Sequence, residues 1–279
     1  VSDFDPPLAI VTAVVRNALD EDLGIMGDIT SLAAVAEDSF SVGRFVARDE
    51  GVLAGCLCVD EVFAQIDPNV VVAWAATDAA SIESGQVLAT IEGRTRSILA
   101  GERVALNLLC LLSGVATSTR RYVRATHGQA RILDTRKTLP GLRGLQKAAV
   151  RAGGGFNHRD SLSGAVLLKD NHLAVVGVTS AVERARVRWP GRMIEVECES
   201  TDQVAAALAA GADRIMLDNM TPDEVRRAVK LIEGRVPVEV SGRVTVEDVG
   251  QYAAAGADFI SIGAITHSVR VFDIGLDLD

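Results

Sequence analysis

From Ala130 onward the chain repeats one pattern, a short apolar run followed by a segment with helical spacing. The runs are "ARILD", "GAVLLKD", "MIEVEC", "RIMLDN", "VPVEVSG" and "FISIGA". Strands that alternate with helices pair in parallel, because parallel neighbours need a helical crossover. The runs are apolar almost throughout, as strands covered on both faces are. Two units resemble each other, "ALAAGADRIML" and "YAAAGADFISI". In each, a helix is expected to end at glycine just before a strand begins. Six such strands predict a (β/α) barrel with fewer than the usual eight.

Helix starts are legible too. Thr221-Pro222-Asp223-Glu224 carries a capping residue, proline at the first helical position and an acid at the third. Ser200 with Gln203 and Thr245 with Asp248 are expected to follow the same logic, which makes these side chains caps and not catalysts. The first hundred residues read differently. A helix is expected over Leu8 to Leu19 after Pro6-Pro7, and another near "CVDEVFAQI". The β-rich runs "VVVAWAA" and "QVLATIEG" lie near the turn "ESGQ". The tail "VRVFDIGLDLD" alternates Phe272, Ile274, Leu276 and Leu278 with polar residues, the period of a half-buried strand.

Charge narrows the function. The chain carries 28 Lys and Arg against 37 Asp and Glu, a net charge of −9. This excludes broad binding to nucleic acid, which needs a basic face. Residues 134–173 depart from the average, with seven Lys or Arg against three Asp. A basic patch in an acidic protein points to a small, multiply charged anion. The run Val104 to Thr119 falls short of a membrane span and reads as a buried helix. No export signal is expected at the acidic N-terminus. The cysteines at 56, 58, 110 and 198 lack zinc-site spacing, so four reduced thiols in a cytoplasmic protein are expected.

The six runs finish at Asp134, Lys169, Glu197, Asp218, Ser241-Gly242 and Gly263. In a (β/α) barrel these ends share one rim, where chemistry sits. Gly242 and Gly263 occupy strand-to-helix turns of the last two units, a common phosphate position. Glu197 and Asp218 could bind sugar hydroxyls or hold Mg²⁺ through water, and Glu195 points the same way as Glu197. Ion pairs of these acids with Lys137 or Lys169 are an equally open reading. Arg136, Lys137, His158, Arg159 and Lys169 would surround a polyanion, arginine suiting carboxylates and lysine phosphates. Arg143, Lys147 and Arg151 recur every four residues on a helix expected to start near Pro140. They are read either as a solvated face or as ligand contacts. These residues point to a phosphorylated sugar and a small carboxylate.

The stretch "LDTRKTLPGLRGLQKAAVRAGGGFNHR" followed by "LLKDNH" resembles the quinolinate phosphoribosyltransferase family. "EDLGIMGDIT", "GVLAG", "ERVALNLLCLLSGVAT", "IEVEC", "IMLDN", "VEVSG" and "IGAITHS" agree, in order, over nearly the whole chain. The resemblance implies an N-terminal α/β sandwich domain, expected at 1–103 with the tail 268–279 returning to it, and an incomplete, open α/β barrel domain at 104–267. It implies that quinolinate and phosphoribosyl pyrophosphate give nicotinate mononucleotide, pyrophosphate and CO₂, with Mg²⁺. It also implies a homodimer whose partner completes each site, with no nucleic acid or membrane involved. By the same resemblance Arg136, His158 and Arg159 bind quinolinate, and Lys137 and Lys169 meet a carboxylate and the pyrophosphate. Glu197 and Asp218 hold ribose hydroxyls and metal. Ser241, Gly242, Gly263 and His267 hold the 5′-phosphate, and Arg103 crosses the dimer interface.

Three positions depart from the family pattern: Asp160 beside Arg159, no tyrosine in "GLQKAAV", and Arg243 after "VSG". A related nicotinate-specific transferase, the molybdenum-associated relative, or a silent nucleotide sensor are the competing readings.

Overall fold

The computed structural model describes residues 4–279. The chain forms two compact units. The first comprises 1–120, 138–154 and 265–279, and the second 121–137 and 155–264.

In the first unit, helices α1 (Leu8–Leu23) and α2 (Ile29–Ala34) precede β1 (Phe40–Ala47), β2 (Gly51–Val52), α3 (Cys56–Ile66), β3 (Val71–Trp74), β4 (Ser81–Ile82) and β5 (Val87–Arg94). Strands β1, β3 and β5 are antiparallel and alternate between covered and exposed side chains, so one face carries the core. Phe45, Leu88 and Ile91 are fully buried there. Helix α4 (Thr95–Ala125) then runs for 31 residues. It is long and apolar enough to cross a membrane, but two-thirds of its apolar stretch (67%) is buried. The long apolar run read from the sequence is thus a core helix.

The second unit holds β6 (Arg131–Leu133), β7 (Val166–Leu168), β8 (Ile194–Cys198), β9 (Arg214–Asp218), β10 (Val238–Ser241) and β11 (Phe259–Ser261). These are the six strands expected from the apolar runs. They form one parallel sheet in the order β6-β11-β10-β9-β8-β7. The first two strands in sequence, β6 and β7, are therefore the two edges, and the barrel is open between them. The intervening helices are α5 (Arg143–Ala152, in the first unit), α6 (Asp170–Val176), α7 (Val178–Arg188), α8 (Thr201–Ala209), α9 (Pro222–Ile232) and α10 (Val249–Ala254). The short α11 (Ala264–His267) follows β11.

Local chemistry sets these boundaries. At α9, Thr221 N donates to Glu224 Oε2 at 2.8 Å and Glu224 N donates to Thr221 Oγ1 at 3.4 Å, a reciprocal cap behind Pro222. At α8, Ser200 Oγ accepts from Gln203 N. Thr245 differs from expectation. Its hydroxyl donates to Asp248 Oδ2, both residues lie in a turn, and α10 starts only at Val249. The twin glycines behave alike. Gly211 and Gly256 take φ of 79° and 100°, and the next residue reaches back to Ala207 O and Tyr252 O respectively. Both helices thus close with a left-handed glycine, and a strand begins three residues later.

The tail strand β12 (Ile274–Leu278) pairs antiparallel with β1 in the first unit. Its alternation holds at buried Phe272 and Ile274, then fades toward exposed Leu278. Helix α5 is no solvated face. Lys147 is only 5% exposed, Arg151 donates to the carbonyls of Phe4 and Asp5, and Arg143 donates to Thr138 Oγ1.

Candidate functional site

Parallel strands place their C-terminal ends on one rim, and in the second unit that rim encloses a cavity of about 420 Å³. Strand β6 delivers Thr135, Arg136 and Lys137, and the loop after Phe156 delivers His158 and Arg159. Lys169 follows β7, Asp218 ends β9, Ser241 ends β10 and Ser261 ends β11.

The loop that carries His158 is pinned by Asp134, which is fully buried. Its Oδ1 accepts from His158 N at 2.9 Å and its Oδ2 from Asn157 Nδ2 at 2.6 Å. Phe156 extends this attachment as a parallel bridge to Leu133. A buried carboxylate is costly alone but stable with such donors. Arg159 is held by its own side chain, Nη1 donating to Ala165 O at 2.8 Å. Burial, reinforced by the neighbouring Arg136, lowers the pKa of the Arg159 guanidinium, while Glu195 opposes the shift. Two guanidinium groups this near each other favour an anion bound between them.

On the next strand, Lys169 Nζ is hydrogen-bonded to Glu197 Oε2. Glu197 is nearly buried and the lysine is about half exposed. The residue stands at the start of α6, where its N–H donates to His172 Nδ1 at 3.0 Å. Asp218 accepts from Asn219 Nδ2, and the Asn219 backbone N–H donates to Ser241 O at 3.0 Å. That contact brings the turn after β9 against the turn after β10. Gly242 takes φ of 107°, and a Cβ there would lie 2.4 Å from Asn219 Oδ1 and 2.8 Å from Asn219 N. Only glycine fits this crossing of two backbones.

Deeper in the strands lies a polar cluster. His158 Nε2 is 3.0 Å from Glu195 Oε2 and 3.5 Å from Glu239 Oε1, and Arg214 Nη1 bonds Glu239 Oε2 at 3.1 Å. Burial raises the pKa of both acids, and Glu195 adds to the effect on Glu239, whose pKa is pushed up to about 8. The histidine and the two acids could in principle cup a metal ion, since their ligand atoms lie within 4.8 Å of one another. The bonded Arg214 guanidinium already supplies the positive charge, so proton sharing suits this cluster better. The metal expected at Glu197 and Asp218 fits better in chemistry. Carboxylates beside a cation-lined cavity suit Mg²⁺, which takes one or two carboxylates plus water and phosphate oxygens.

The cavity thus gathers Arg136, Lys137, His158, Arg159, Lys169, Asp218 and Ser241. Glu197 is joined to it through Lys169, and Gly242 and Gly263 follow the strands of the last two units. Arg103 and His267 belong to the other unit. Arg103 is exposed and shares a recess of about 640 Å³ with Arg270 and Asp273, and His267 Nδ1 bonds Ser268 Oγ. Asp134 was read only as the end of a strand, and Arg214 and Glu239 were not singled out from the sequence. An acid or an arginine inside an otherwise apolar parallel strand was the available signal for the last two.

Comparison with known proteins agrees over nearly the whole chain. Residues 28–113 match the quinolinate phosphoribosyl transferase N-terminal domain and residues 115–277 its C-terminal domain. A probable nicotinate-nucleotide pyrophosphorylase [carboxylating] of Bacillus subtilis is 44% identical over 262 residues, covering 92% of this chain and 90% of that one. The corresponding Mycobacterium leprae protein is 45% identical, covering 95% of each. The solved nicotinate-nucleotide pyrophosphorylase of Francisella tularensis superposes with a TM-score of 0.94 at 39% identity, covering 99% of this chain and 98% of that one. The chain belongs to the quinolinate phosphoribosyltransferase family, with both of its domains present.

Proposed function

We propose that this protein transfers the phosphoribosyl group of phosphoribosyl pyrophosphate to quinolinate with loss of CO₂, giving nicotinate mononucleotide and pyrophosphate for NAD biosynthesis. One observation carries the reading: four cations and two acidic residues, Asp218 and Glu239, from strands distant in sequence, line a single cavity. Quinolinate brings two carboxylates, and Arg136 with Arg159 offers two forked donors for them.

Bond making and breaking follow from charge. The pyridine nitrogen attacks the anomeric carbon as the bond to pyrophosphate breaks, so positive charge builds on the ribose and negative charge on the leaving group. Asp218, with Glu197 behind Lys169, stabilises the ribose side, and Lys137 and Lys169 stabilise the leaving side. The arginines hold the nitrogen in line. Once transferred, the ring nitrogen is cationic, so it stabilises the electron pair left on the neighbouring ring carbon when the carboxylate departs as CO₂, and a proton from water then takes the carboxylate's place on that carbon. No covalent enzyme nucleophile is needed. A bound Mg²⁺, held by Glu197 and Asp218, would supply further charge neutralisation on the pyrophosphate. Ser241 and the amides around Gly242 and Gly263 would receive the 5′-phosphate, with His267.

The protein would act in the cytoplasm as a homodimer, with Arg103 contributed to the partner's site. The four cysteines are free thiols, in keeping with a reducing compartment. The test is release of CO₂ from carboxyl-labelled quinolinate. Release that depends on phosphoribosyl pyrophosphate is expected. Turnover of nicotinate with none of quinolinate would assign the chain to a different reaction.

A further inference from the structure

We propose that Glu195 and Glu239 are positioning residues, which hold His158 as its neutral Nε2–H tautomer so that the ring fixes the backbone carrying Arg159. The inference rests on the reading of Arg159 as a quinolinate-binding group.

Both ring nitrogens of His158 are engaged by protein groups. The Arg159 backbone N–H donates to Nδ1 at 2.8 Å. A nitrogen that accepts a hydrogen bond carries no proton, so the ring's proton sits on Nε2. Nε2 lies 3.0 Å from Glu195 Oε2, an acceptor. The side chain is 7% exposed and both acids are fully buried. An imidazolium would turn an Nδ1–H toward the Arg159 N–H, donor against donor, on a ring that is only 7% exposed.

The acids complete the arrangement. Glu195 Oε1 and Glu239 Oε1 are buried with no hydrogen-bond donor aimed at them. One oxygen of each acid lies within 4.8 Å of the other, so a single proton carried by Glu239 removes the repulsion between two buried carboxylates. The pair then carries one negative charge, matched by Arg214, whose guanidinium also lies 4.4 Å from the Phe259 ring centre. With a neutral histidine the cluster sums to zero, the cheapest state for a buried group. The elevated pKa of Glu239 agrees with this protonation. Charged groups face the cluster from several elements: Asp134 after β6, on the His158 backbone, Arg159 from its loop, Glu197 on β8 and Arg214 on β9. Ser261 on β11 lines the same cavity as Glu239, its hydroxyl donating to Val240 O. The contacts run from Arg214 to Glu239 and from both Glu239 and Glu195 to His158, and from there to Arg159 and Ala165 O.

The experiment is a multiple-bond ¹H–¹⁵N correlation spectrum of the intact protein with ¹⁵N-labelled histidine, His158 being assigned by its loss in His158→Asn. Near neutral pH, a protonated Nε2 and a bare Nδ1 are expected. Glu239→Gln mimics the protonated acid and should keep this pattern, with the KM for quinolinate within about twofold of the parent. Glu239→Leu should lose the pattern and raise that KM about tenfold, with the KM for phosphoribosyl pyrophosphate little changed. An imidazolium signal, a protonated Nδ1, or damage from Glu239→Gln equal to that from Glu239→Leu would overturn the proposal. If Glu239→Leu does not fold, the parent and Glu239→Gln spectra decide alone. The tautomer is read without turnover, so a failure of the assigned reaction would leave this test standing.

Discussion

Lys169 and Glu197 stand on neighbouring strand ends and are bonded to each other, the lysine half in solvent and the glutamate almost out of it. Removing the lysine strands a carboxylate in a poor solvent. Lys169→Ala should therefore cost about 1–2 kcal/mol in urea unfolding, less than a fully buried pair because the lysine is half exposed. Adding Glu197→Gln should recover part of that loss, while both variants stay inactive. A double mutant no more stable than the single one would show that the pair is not coupled.

Gly242 is expected to tolerate no side chain. Its φ of 107° is strained for alanine, and the Cβ would strike the Asn219 backbone. Gly242→Ala should raise the KM for phosphoribosyl pyrophosphate at least about tenfold, with a smaller effect on quinolinate. Steady-state kinetics with each substrate varied in turn read this directly. Equal effects on both KM values would place the turn away from the phosphate.

Glu239 makes stability depend on pH with a definite sign. Its folded pKa, about 8, lies above the ordinary value of 4.5. Between these values the folded state binds more protons than the unfolded one, so stability falls as pH climbs through that window and levels off above it. Glu239→Gln should flatten this decline. Urea midpoints across the window measure it, and an unchanged slope in the variant would exclude Glu239 as the source.

Sharing of the site across a dimer is tested by mixing. Arg103→Ala and Lys137→Ala should each be inactive. After mixed refolding, half the dimers are hybrids with one intact site, so about a quarter of parent activity should return. No recovery, with hybrid dimers present by native mass spectrometry, would assign both residues to one chain's site.

Much of this was legible in the sequence because it is local. The six strands follow from apolar runs, and the caps at Ser200 and Thr221 follow from residues three apart. Thr245 misled because the same spacing also suits a turn, and nothing local distinguishes the two. The cations of the rim were visible as a charge cluster. The Asp134, Arg214 and Glu239 network was not, because its partners are 20 or more residues apart and meet only through parallel register. Lys147 was open to two readings, and its burial at 5% exposure comes from packing that spacing on one helix cannot report.

The central claim is that one cavity neutralises a doubly charged pyridine, and a crystal structure with quinolinate bound tests it most directly. The account predicts quinolinate in the 420 Å³ cavity, its carboxylates on Arg136 and Arg159 and its ring nitrogen turned toward Asp218. Quinolinate seated elsewhere, or in this cavity with neither arginine in contact, would contradict it.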